Sequence, residues 1–181
     1  MITIQTYISK KDCKEMTLSG AIYRDFSQLD APLSKEYGNN QLKKSDGISI
    51  YGAVEISIYQ KPLSTFNEWD DVDELWLSLL ESLKHCLKYG HGISGFSRRT
   101  LDWEMKLIKE DKNDSILFTW NHWDAGWNTV YEMITVCLPK NKLVESLLAE
   151  GSLYVDFRKS LSDSGPSSKM ERLIDEIKSF N

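Results

Sequence analysis

Apolar residues recur along this chain with two different periods, and the alternation between the periods sets out the fold. Residues 2–8 alternate apolar with polar, which predicts a first strand with one face buried. A weaker alternation over 17–24 predicts a second. Residues 28–47 are polar and carry Pro32, Gly38, Asn39 and Asn40, so this stretch reads as a long loop. The clearest alternation covers 48–60. Ile48, Ile50, Val54, Ile56 and Ile58 share one face, and Gly52 among them marks an expected bulge.

The period then changes. Thr65-x-x-Glu68 has the form of a capping box. Beyond it Val72, Leu75, Trp76, Leu79, Leu83, Cys86 and Leu87 fall on one helical stripe that Gly90 should end. His91 to Arg98 reads as loop, and 100–109 as a strand. Ile116–Trp120 and Asn128–Leu138 form a predicted antiparallel hairpin around the loop NHWDAG. The second of these strands is apolar on both faces, which places it inside a sheet rather than at an edge. Pro139 opens a helix carrying Leu143, Val144, Leu147 and Leu148. Gly151 is an expected stop, after which 153–157 fits a short strand or more helix. Pro166–Phe180 reads as a last helix with Met170, Leu173, Ile174 and Ile177 inward. The sum is one α+β domain over 1–181. It has an antiparallel or mixed sheet of about five to six strands, with three helices packed mainly on one face.

Composition narrows the function. The 181 residues are 41% hydrophobic and 27% charged, an ordinary globular balance. A net charge of −5 argues against a nucleic-acid binder that must neutralise many phosphates. The N-terminus lacks the pattern of a signal peptide, and no apolar run approaches the ~20 residues that span a bilayer. Cys13, Cys86 and Cys137 are scattered and odd in number, as expected of reduced thiols in a cytoplasmic protein.

Candidate chemistry is sparse. Gly92-Ile93-Ser94-Gly95 lacks the second glycine of a nucleophile elbow, because Phe96 stands there. His85, His91 and His122 have no zinc-site spacing, and no phosphate-binding glycine motif occurs. The expectation is therefore no metal and no cofactor. His122 and Asp124 share the hairpin loop and form the one pair an enzyme could use as acid and base. Glu68, Asp70, Asp71, Asp73 and Glu74 crowd a helix start beside Trp69. Favourable interaction with the helix dipole explains two or three such acids, not all of them. Trp123 falls where a loop tip should be exposed, and aromatic residues flanked by charge are common interface anchors. The expected partner-binding set is Glu68, Trp69, Asp70, Asp71, Asp73, Glu74, His122, Trp123 and Asp124.

The acidic helix start EWDDVDELW, the strand-Pro-helix segment ITVCLPKNKLVESLL and the Trp-rich strands resemble small acidic immunity proteins of bacterial polymorphic and contact-dependent toxin systems. The resemblance implies a non-enzymatic inhibitor that occludes a cognate protein, such as a toxin with a basic cleft, without nucleic acid or membrane partners. The alternatives are a small enzyme using His122 and Asp124, or a structural adaptor subunit.

Overall fold

A computed structural model describes residues 1–11, 23–45, 47, 49–64, 66–96, 101–110, 113–123 and 129–180. The fold is α+β, with four helices and two antiparallel sheets among the described residues. The first sheet holds β1 (Ile2–Ser9), β2 (Phe26–Gln28), β3 (Tyr51–Ile58) and the two-residue strands β4 (Lys61–Pro62) and β5 (Asp70–Asp71). Its order is β2-β1-β3-β4, with β5 also on β3. The second sheet runs β6 (His91–Gly95), β7 (Leu101–Ile108), β8 (Ser115–Trp123) and β9 (Val130–Pro139) in sequence order. The helices are α1 (Ser34–Lys44), α2 (Val72–Tyr89), α3 (Lys140–Lys159) and α4 (Ser167–Lys178).

The expected single sheet is thus two, and the reason lies in α2. Its apolar stripe, with Val72, Leu75, Trp76, Leu79 and Leu83 buried, packs on β3 of one sheet and on β6 and β7 of the other. The helices α3 and α4 close over it. One hydrophobic cluster joins both sheets to these helices, through Ile4, Ile56, Trp76, Trp103, Phe118, Leu147 and Ile174 among others. A second, smaller cluster of Tyr7, Phe26, Ala53 and Trp69 covers the far face of the first sheet.

Several local expectations change. The polar stretch 28–47 contains α1, a fourth helix. It carries no apolar stripe: its buried residues are Ser34, Gly38, Gln41 and Leu42. What docks it is Gln41, whose Nε2 donates to Ser9 O at 2.7 Å and Tyr51 O at 3.2 Å while its Oε1 accepts from Tyr51 N at 2.5 Å. That interaction leaves no trace in hydrophobic periodicity. The α2 helix starts at Val72, after a 3-10 turn over Phe66–Glu68, with Asp71 as its cap; Thr65 lies outside the described residues. Gly90 ends the helix with φ 85°, as expected. Gly151 does not end α3. It is spared a side chain because a Cβ there would sit 3.3 Å from the Trp76 ring, and 153–157 continue the helix.

His91–Gly95 is strand rather than loop, disguised by small residues. A Cβ on Gly92 would lie 2.0 Å from Ser82 O, so β6 runs against the backbone of α2. Strand β9 stands at the edge of its sheet, not inside it; Met133, Thr135 and Cys137 are exposed. Residues 12–22 lie outside the described residues, so most of the expected strand 17–24 does too; Tyr23–Asp25 form a 3-10 turn. Gly52 sits in unbroken register opposite Ile8 and marks close approach, not a bulge. A Cβ there would meet Tyr7 O at 2.0 Å and Val72 Cγ2 at 2.7 Å. The register shift lies instead between His122 and Trp123, where β9 carries an extra residue.

Two substitutions test this packing by urea unfolding. Leu79→Ala, at a fully buried position on α2, should cost about 2–5 kcal/mol. Gly52→Ala adds one methyl yet should cost about 1–3 kcal/mol, because backbone and not a flexible side chain stands in its way.

Candidate binding surfaces

The acidic helix start turns inward. Trp69, Asp70, Asp71 and Asp73 are buried, Glu68 is half-buried, and only Glu74 is exposed. Each buried acid has structural employment. Asp70 Oδ1 accepts from Asp71 N at 2.8 Å. Asp71 caps α2, its Oδ1 accepting from Asp73 N at 3.0 Å, while Val72 N donates to Ile50 O. Asp73 takes Arg158 Nε on both oxygens at 3.1 and 3.0 Å and the Tyr154 hydroxyl at 2.8 Å. Arg158 is itself fully buried; its Nη1 donates to Asp163 O, and Gly165 packs so closely that a Cβ would strike Nη2. In this fold Trp69, Asp70, Asp71 and Asp73 lie in the interior rather than on the exposed surface expected of a docking patch. The sequence pattern could not show this, because an acid solvated at a helix start and an acid paired with an arginine 85 residues later read alike.

Burial raises the carboxyl of Asp71 from 3.8 to about 6; the Ser49 hydroxyl pulls it back and the nearby Asp73 charge pushes it further up. Asp73 is also raised by burial, against the Arg158 guanidinium and the Tyr154 hydroxyl.

The hairpin residues separate to the two faces of the second sheet. His122 lies on the core side, where its Nε2 accepts the Trp120 indole N–H at 2.5 Å. Trp123 lies on the opposite face, still in β8, and donates to Asp102 Oδ2 at 2.5 Å. Asp124 lies outside the described residues. The structure therefore does not describe the expected His122–Asp124 pair.

The second sheet's outer face carries exposed apolar side chains on its two edge strands, with Thr119 and Asn121 buried at its middle. Register aligns Gly95, Asp102, Asn121 and Met133 in one row across the four strands. Ile93, Glu104, Thr119 and Thr135 form the next, then His91, Lys106, Leu117 and Cys137. Among the described residues α2 and α3 pack against this sheet, α1, α2 and α3 against the first sheet, and α4 on the helices α2 and α3. Ile93 is 59% exposed and Met133 64%, one on each edge strand. Between them Asp102 is fixed by two neutral donors, Asn121 Nδ2 at 2.7 Å and the Trp123 indole, so its negative charge is held in place without being cancelled. Beside it Glu104 meets His91 Nε2 at 2.7 Å. Sequence reading missed Asp102, Glu104, Ile93 and Met133. The signal was present in the alternation of 100–109, whose polar positions face outward together.

No helix among the described residues is long and apolar enough to cross a membrane, and no group of three or more His, Cys, Asp or Glu among them is placed to hold a metal ion. Comparison with protein-family models, curated proteins and solved structures gives no match.

Two predictions follow the buried acids. Asp73→Leu alone strands Arg158 and should cost about 3–5 kcal/mol. Asp73→Leu with Arg158→Met and Tyr154→Phe should recover most of that loss, as read by chemical unfolding. For Asp71 the folded state holds its proton more tightly than the unfolded chain. Its contribution to stability is complete below pH 3.8 and lost as pH rises through about 6. Unfolding of wild type and Asp71→Asn across that range should diverge by about 1–3 kcal/mol, with the neutral variant favoured at the upper end. Parallel curves would show that Asp71 is not strained by its burial.

Proposed function

We propose that this protein binds and neutralises a cognate protein partner, in the manner of the immunity proteins its sequence resembles, and that it does so with the outer face of its second sheet. The observation that carries the reading is that face itself. The sheet face turned away from α2 presents an immobilised carboxylate, Asp102, and a second at Glu104, between apolar side chains on both edges. Half-wet antiparallel sheets are common and need no partner. Large exposed side chains at Ile93 and Met133, with the Trp123 ring tethered beside them, go beyond what solvation needs. Fixed acids on a chain of net charge −5 favour a basic partner surface and fast, salt-dependent association.

The test is co-expression with the product of any large reading frame found encoded beside this chain, followed by binding kinetics on the purified pair. Asp102→Asn and Glu104→Gln should slow association and flatten its dependence on salt. Ile93→Ala with Met133→Ala should speed dissociation about tenfold while leaving stability within about 0.5 kcal/mol. Variants that bind as wild type does would remove this face from consideration. A neighbouring product that neither harms cells nor binds the chain would overturn the neutralising role.

A further inference from the structure

A groove of about 500 Å³ lies between β1 and α3. Its size is that of an ordinary ligand site. One wall is the backbone of Thr3–Thr6; the other is the flank of α3 that carries Glu150, Leu153 and Asp156. Leu29 and Phe157 supply an apolar lining, and Leu153 is 57% exposed.

The backbone wall is an open strand edge. Strand β2 pairs with β1 only along Tyr7–Ser9, and Leu29 N then donates to Thr6 O at 3.1 Å. The chain next turns away, Ala31 N closing on Gln28 O. The Thr6 N–H on the same edge is taken by Glu150 Oε1 at 2.6 Å. In an antiparallel ladder a residue's N–H and C=O point the same way and alternate residues point alike. Thr6 faces the groove, so Ile4 and Ile2 do as well. The partner strand agrees: Ile56, opposite Ile4, spends its own backbone groups on Leu63 N and Ser64 Oγ, on the side away from β1. On the groove side, away from β3, no strand among the described residues pairs with this part of β1.

The charge around the edge has one sign in excess. Asp30, Glu150 and Asp156 line the groove, and among the described residues Lys35 is the one cation beside them. Glu150 is partly buried, and that burial raises its carboxyl, with the Asp30 charge adding to the rise and Thr6 opposing it. A cation entering the groove would relieve this strain.

We propose that the groove takes an extended, lysine- or arginine-bearing segment of a protein partner, added to β1 as a further strand. Its backbone bonds to Ile4 and Ile2, an apolar side chain rests on Leu29 and Phe157, and a basic side chain meets Glu150 and Asp156. This is strand addition: main-chain bonds hold the segment and alternate side chains select it. It does not depend on the sheet-face reading, since the groove and that face share no residue.

The probe is a short acetylated peptide of alternating valine and lysine, titrated into the full chain with amide chemical shifts as readout. Shifts should concentrate at Ile2–Thr6 and along Glu150–Ser160. Glu150→Gln still accepts the Thr6 N–H; combined with Asp156→Asn it should weaken binding about tenfold. Methylating alternate peptide nitrogens on the edge-facing side should abolish it. Equal binding of the methylated peptide, or of a valine–glutamate peptide, would overturn the proposal. So would a dimer in ultracentrifugation whose formation protects the β1 amides, because the edge would then belong to a second copy.

Discussion

The ion pair between Asp73 and Arg158 is the constraint on which the rest of the molecule depends. It ties the first turn of α2 to the last turn of α3, and both ends of it are buried. Two charges removed from water cost several kcal/mol each unless their hydrogen-bonding capacity is met. The surrounding elements meet most of it, with Arg158 Nη2 left without a hydrogen-bond partner among the described residues. Tyr154 and both oxygens of Asp73 complete the acid; Asp163 O and the Gly165 turn wrap the guanidinium. The turn after α3 therefore has its path set by Arg158, and α4 starts directly behind it.

The same corner reaches the first sheet. Asp71 caps α2 while pairing with Tyr51 in β3, and Val72 N closes on Ile50 O. From this anchored start α2 runs beneath the second sheet, whose β6 must contain Gly92 to lie against it. The surface ion pairs between helices, such as Lys84–Glu176 and Lys169–Glu81, add little by comparison because solvent screens them. Fixing α2 at one end and packing it along its length leaves two parts of the fold uncommitted: the outer face of the second sheet and the open half of β1. Both proposals rest on these, since a face or edge the core does not use can be given to a partner.

What was legible in the sequence was whatever its own neighbours determine. The period-two runs of β3, β7 and β8, the stripe of α2 and the glycine after it, and the apolar face of α4 all report burial of side chains a few residues apart. Side chains alternate in a strand and wind in a helix regardless of what they pack against, so these elements and the α+β class could be read directly. Only the tertiary structure decided the rest, because it turns on pairings between distant residues. Gln41 makes a helix of a polar stretch by bonding Ser9 and Tyr51. Gly151 lies within α3 where the Trp76 ring packs against it, so its role is close approach rather than a stop. The position of α2 divides the strands into two sheets and leaves β9 at an edge. Arg158 holds Asp73 in the interior, and Asp70 and Asp71 are buried beside it, so that part of what looked like a docking patch lies inside the fold. Charge in a sequence shows only that a partner is needed; whether that partner is water, another protein or an arginine of the same chain is settled by which surfaces the folded chain brings together.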